Sequence, residues 1–182
     1  MKRGICLFVL IPGVIFSAFS QDNVKKDSSY ESFVSQSGVI IRLQDFKLPP
    51  MEGTGYSTYD NRIRIIMSND VVKYFYQITK TSKSGDIIGS IEYKELLEML
   101  NAVNLLQAQF NLDLNKSIEY MENKYITNDG IQVGYYISIT SKAWFIKLDK
   151  YKTDSTIFFK ESTNILKGFQ EALNKIEELK RN

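Results

Sequence analysis

The side chains that most enzymes use for proton transfer and metal binding are nearly missing from this chain. It has no histidine and one cysteine, Cys6. That removes a histidine general base, any Ser-His-Asp or Cys-His arrangement, and His or Cys metal sites. Gly53-Thr54-Gly55 lacks the further glycine or the Lys-Ser/Thr pair that a phosphate loop requires. Carboxylates, hydroxyls and lysines remain. Glu92, Glu95 and Glu98 gather where a helix should begin, and acids there favour the positive end of the helix dipole. No partner carboxylate completes a glycosidase-type pair. Asp60, Asp129, Asp149 and Asp154 lack Asp-x-Asp-x-Asp-Gly calcium spacing and fit turns instead. The composition therefore points to a non-catalytic protein with no cofactor and no metal. A hydrolase-type enzyme using carboxylates or a Lys–hydroxyl pair is the alternative.

Binding chemistry is better represented. On alternating strand registers, one face collects Arg62, Arg64, Lys73, Phe75, Tyr136 and Lys147, with Phe158 nearby. Aromatics interleaved with basic residues on an open sheet can stack single-stranded bases or sugar rings. The other uses of such a face are packing under loops, meeting a second sheet, or a homodimer interface. A second candidate is the Leu48–Asn61 stretch, read as a long loop with Pro49-Pro50, Gly53 and Gly55, which offers Tyr56 and Tyr59.

These side chains must be positioned by strands and helices whose periodicity is clear. Strands are expected at Val39–Phe46, Arg62–Met67, Val71–Lys80, Asp86–Tyr93, Ser117–Thr127, Ile131–Thr140, Ala143–Asp149 and Thr156–Phe159. Asn69-Asp70 and Asn128-Asp129-Gly130 are hairpin turns between them. Helices follow twice. Lys94–Phe110 carries Leu96, Leu97, Leu100, Val103, Leu106 and Phe110, and the closing helix carries Ile165, Leu166, Phe169, Leu173, Ile176 and Leu179. The strand after Asn69-Asp70 parallels the strand after Asn128-Asp129, Ser90–Glu95 parallels Thr156–Glu161, and Met99, Leu100 and Val103 match Ile165, Leu166 and Phe169. The chain is therefore read as two related strand–helix halves, 36–112 and 113–182. The expected fold is α+β: antiparallel sheet from two related ββ(β)βα halves, each ending in an amphipathic helix.

Ahead of this domain, residues 1–20 read as a secretory signal peptide. Lys2 and Arg3 precede the apolar run Ile5–Phe16, and Ala18-Phe19-Ser20 supplies a small-residue cleavage site. Residues 21–35 are polar and read as a flexible leader. The expected location is exported, either periplasmic or secreted, with no membrane span after cleavage. Loss of Lys2 and Arg3 takes the formal net charge from +2 to zero. That charge and the export together argue against nucleic acid as partner. The expected partners are an envelope protein or a small ligand, with a homodimer as a further use of the same face.

Gly89–Leu97, Lys124–Gly134 and the Leu166–Leu179 helix resemble an uncharacterised group of small bacterial proteins, in which a strand leads into a helix, a Tyr-x-Thr-x-x-Gly-like hairpin follows, and a helical tail closes the chain. This resemblance implies no activity and no site residues. The doubled strands-then-helix order also resembles the Whirly and Pur-type architecture. That likeness implies a sheet able to bind single-stranded nucleic acid, which stands as another alternative function.

Overall fold

Two prolines decide where the first strand stops. β1 (Ile41–Lys47) pairs antiparallel with β3 (Thr58–Ser68), from Ile41 opposite Ser68 to Lys47 opposite Arg62. Pro49 and Pro50 have no N–H to continue the ladder. Asn61 steadies the break by donating its side-chain amide to the Pro49 carbonyl at 2.7 Å. β2 (Met51–Glu52) then resumes on the same partner strand. The expected loop Leu48–Asn61 is thus mostly a hairpin, with a short 3-10 turn at Thr54–Tyr56 between β2 and β3. The computed structural model describes residues 28–83 and 85–181. The expected signal peptide and residues 21–27 of the expected leader lie outside them.

The rest follows as two antiparallel meanders. β4 (Val71–Ser82) and β5 (Gly85–Glu92) complete a first sheet in the order β1-β3-β4-β5, with β2 beside β3. α2 (Tyr93–Asp113) follows. β6 (Tyr120–Ile126), β7 (Gln132–Ser138), β8 (Lys142–Lys147) and β9 (Thr156–Phe159) form a second sheet in sequence order, and α3 (Ser162–Arg181) closes the chain. The fold is α+β, and each half supplies its own sheet and its own terminal helix.

One core joins the halves. Ile63, Tyr76, Ile78 and Ile91 from the first sheet meet Val133, Tyr135, Trp144, Ile146 and Phe159 from the second, with Leu96, Met99 and Val103 of α2 and Ile165, Phe169 and Ile176 of α3 between them. Each helix also crosses to the other half: α2 packs on β6 and β7, while α3 packs on β2 and β3. Gly168 permits the second crossing, since a β-carbon there would lie 2.9 Å from Met51 Cε. Leu97, expected in the α2 stripe, points to solvent. Met99 takes that place in the core.

The ladders reveal how the halves correspond. Asp45, Arg64, Phe75 and Glu92 form one cross-strand row in the first sheet. Lys124, Gly134, Phe145 and Phe158 form the equivalent row in the second. By the same registers Ile41 corresponds to Tyr120, Ile66 to Tyr136, Ser68 to Ser138 and Lys73 to Ala143. The helical match of Met99 to Ile165 and Val103 to Phe169 holds, and all four are buried. The strand match is displaced: β4 corresponds to β8, not to β7. Alternation with a period of two looks the same from one strand to the next, and only the ladders carry strand order.

Candidate functional site

The expected aromatic–basic face divides between the two sheets, and its two parts have opposite fates. Arg62, Arg64, Lys73 and Phe75 lie on the outward face of the first sheet, where α1 (Ser29–Val34) covers Phe75 and contacts Arg64 and Lys73. Phe75 is 0% exposed and shares a small cluster with Phe33 and Ile66, against which Tyr30, Val34 and Ile41 pack. The Tyr30 ring stands edge-on to Phe75, with centroids 5.3 Å apart at 89°. Arg64 donates to both oxygens of Asp45 at 2.7 and 2.6 Å, and to the Tyr30 hydroxyl at 2.8 Å. That hydrogen-bonded pair with Arg64 holds the Asp45 carboxyl below its ordinary range. Lys73 sits 3.3 Å from Glu92 and over the Phe33 ring at 5.4 Å. Arg62 donates to Gln77 at 2.9 Å. These four side chains are committed to the fold, so the expected open binding face does not exist here.

The cause is local sequence that the leader reading overlooked. Ser28-x-x-Glu31 is a capping box: the Ser28 hydroxyl accepts from the Glu31 N–H at 3.1 Å, and Glu31 accepts from the Ser28 N–H at 3.4 Å. Phe33 and Val34 follow as the apolar anchor. The last part of the expected flexible leader is therefore an ordered helix.

The second sheet's outward face is uncovered. Tyr136 and Lys147 are there as expected, with Phe158 beside them. They line a trough of about 390 Å³ together with Tyr120, Glu122, Lys124 and Phe145. Tyr120 is 60% exposed and Phe158 is 42% exposed. Tyr136 stacks on Tyr120 at 6.2 Å and 20°, and meets Phe158 edge-on at 6.2 Å and 83°. Glu122, directly across the ladder from Tyr136, accepts from the Tyr120 hydroxyl at 2.7 Å and from Lys124 at 2.6 Å. Burial tends to raise the Glu122 carboxyl, but these two hydrogen bonds outweigh it and hold it below its ordinary value. The carboxylate thus clamps the Tyr120 ring from its phenolic end. Tyr120, Glu122 and Lys124 were absent from the expected site. Their alternation along one strand was the available signal.

Gly134 shapes the trough floor. β6 approaches so closely that a β-carbon on Gly134 would lie 2.2 Å from the Asn123 carbonyl oxygen. Beside Gly134 on the same row the Phe145 ring, 5% exposed, fills the floor, and Ala143 adds only a methyl group.

The other candidates do not converge. Tyr56 is fully exposed, whereas Tyr59 packs against the core, so they form no joint surface. Glu92 pairs with Lys73, and Glu98 accepts from the Tyr125 hydroxyl at 2.6 Å. Glu95 is buried, accepts from the Asn128 N–H at 2.9 Å through Oε1, and leaves Oε2 without a partner. Burial, reinforced by the nearby Asp129 charge, raises the Glu95 carboxyl. Asp154 holds Lys80 at 2.7 Å, and Asp149 accepts from the Tyr151 N–H at 2.7 Å. Among the described residues no three acids, histidines or cysteines come together as a metal site. A second pocket of about 210 Å³ opens between α1 and the junction of the halves, lined by Arg64, Gln77, Ser90, Asp129 and Lys150. Most of its polar groups already have partners: Gln77 donates to Ser90 at 2.8 Å, and Asp129 accepts from Ser29.

The fold and site together define an α+β protein of two antiparallel meanders, one with its outward face closed by α1 and one whose aromatic outward face no helix among the described residues covers. No family model, curated protein or solved structure matches the chain.

Proposed function

We propose that this is an exported, non-catalytic protein that binds a partner or ligand in the cell envelope through the open face of its second sheet. One observation carries the reading. The registers that place Ile41, Ile66 and Phe75 under α1 place Tyr120, Tyr136 and Phe145 on a face that no helix among the described residues covers. An exposed aromatic group rimmed by charged residues marks an interaction surface. The trough lies in the volume range typical of ligand sites. Export rests on the charged-then-apolar sequence of residues 1–20.

The test has two readouts. N-terminal sequencing of protein recovered outside the cytoplasm should begin at Gln21. Retention of any envelope component by the wild-type protein should be lost in the Tyr136→Ser, Phe158→Ser double variant, which should still unfold in a single cooperative transition. Undiminished retention by the double variant would remove this face from consideration.

A further inference from the structure

We infer that the open face receives a short amphipathic helix of a partner protein, anchored by one aromatic side chain and carrying an acidic residue on its flank. This rests on the binding role proposed for that face and specifies its ligand.

The chain contains its own example of such an occupant. α1 is six residues long, and Phe33 is the residue it buries on the first sheet. Its seat is Ile66 and Phe75, with Ile41 packed alongside. The second sheet offers Tyr136, Phe145 and Tyr120 at the same register positions.

The differences favour a larger anchor. Arg64, which donates to the Tyr30 hydroxyl, and Lys73, whose ammonium lies over the Phe33 ring, become Gly134 and Ala143. Glu92 becomes Phe158. The second face therefore exchanges Arg64 and Lys73 for small residues and gains a ring, while Lys124 and Lys147 stand where Asp45 and Gln77 do. An aromatic side chain docking here meets the exposed Tyr120 and Phe158 rings, beside a Tyr136 ring that already touches both.

Charge narrows the choice of ligand. Glu122 neutralises Lys124 and stands beside Tyr136, so a polyanion threading this face would meet a carboxylate. Lys147 lines the trough with its charge near enough to act on the Glu122 carboxylate, which Tyr120 and Lys124 already engage. An acid on the helix flank would pair with it. A second copy of the chain is disfavoured as the source of the helix, because α1 is held on its own sheet by Asp129.

The probe is a random-peptide display library selected on the purified wild-type protein. The expected result is enrichment of peptides with one large aromatic residue, a neighbouring acid and helix-forming flanks. Their affinity should fall at least about tenfold in Tyr136→Ser, as expected of a central anchor contact, and measurably in Lys147→Glu. Both variants are surface changes, and matched melting curves confirm folding. Peptides that bind Tyr136→Ser as well as wild type would overturn the inference, as would a failure to enrich any. The same proteins are titrated with oligo-dT and with neutral polysaccharides. If one of these binds wild type but not Tyr136→Ser, and no peptide does, the helical ligand is wrong while the open face remains a binding surface. If Tyr136→Ser changes nothing with any probe, both readings fall.

Discussion

Ser29 is hung from Asp129. The Ser29 N–H donates to both carboxylate oxygens at 3.0 and 2.9 Å, and its hydroxyl donates at 2.7 Å. The donor begins a helix that covers the first sheet, and the acceptor sits in the β6–β7 turn of the second. The cover of one half is thus fastened to the other half. Hydrogen bonds to a charged group contribute about 1.5–3 kcal/mol each at most, and shared ones less. Asp129→Ala should cost about 1–3 kcal/mol in denaturant unfolding. It should also speed hydrogen exchange across Ser29–Val34. Unchanged exchange there would mean that Phe33 alone holds α1 in place.

Phe75 and Tyr136 were expected to share one exposed face, and the structure separates them. Truncating a fully buried phenylalanine costs about 3–5 kcal/mol, so Phe75→Ser should be severely destabilising. Tyr136→Ser removes two ring contacts, each contributing about 0.5–1.5 kcal/mol, from a partly solvated site. Its loss should be smaller than that of Phe75→Ser by equilibrium denaturation. Equal losses would show that the second face is core rather than surface.

Gly134 gives a sharper test of the strand pairing. A β-carbon would lie 2.2 Å from the Asn123 carbonyl oxygen and 2.7 Å from Lys124 Cβ, both on the neighbouring strand. Overpacking of this kind costs about 1–3 kcal/mol, so Gly134→Ala should destabilise despite its small size. A neutral result would contradict the close approach of β6 and β7.

Much of this arrangement was legible in the chain. The α+β class, the two halves and the helical register of Met99 with Ile165 follow from periodicity, because the buried faces of strands and helices repeat visibly. What escaped depends on relations that periodicity does not encode. The β4–β8 correspondence lies in the ladders, and the loss of Phe75 from the surface depends on a six-residue helix too short to show an apolar stripe. The Ser28–Glu31 capping box was the local signal for that helix. Tyr136 and Lys147 face outward as alternation predicts; the alternation of Tyr120, Glu122 and Lys124 is equally visible in the chain, but their place beside Tyr136 lies in the ladder.

Two carboxylates should give opposing pH signatures. Asp113, at the end of α2, is held down to about 2, first by its hydrogen bond from Lys116 and then by that from Tyr135. Its folded value is below the ordinary one, so its contribution is complete above about pH 4 and fades as pH falls toward 2. Glu95 runs the other way. Burial raises its folded value, so its ionisation opposes folding once pH rises past the ordinary carboxylate range. Melting temperature should fall as pH is lowered from about 4, and Asp113→Asn should flatten that fall. Glu95→Gln should raise the melting temperature relative to wild type more at pH near 7 than near 4. A Glu95→Gln effect independent of pH would show that the buried carboxyl is not what titrates.

The central claim is that the two equivalent faces differ, one closed by α1 and the other free to bind. Hydroxyl-radical footprinting of the purified protein, alone and mixed with envelope extract, tests it most directly. Tyr120 and Phe158 should be modified readily in the protein alone and Phe75 hardly at all, and the extract should protect Tyr120, Tyr136 and Phe158 together. Strong modification of Phe75, or protection that falls elsewhere and leaves these three rings unchanged, would contradict the account.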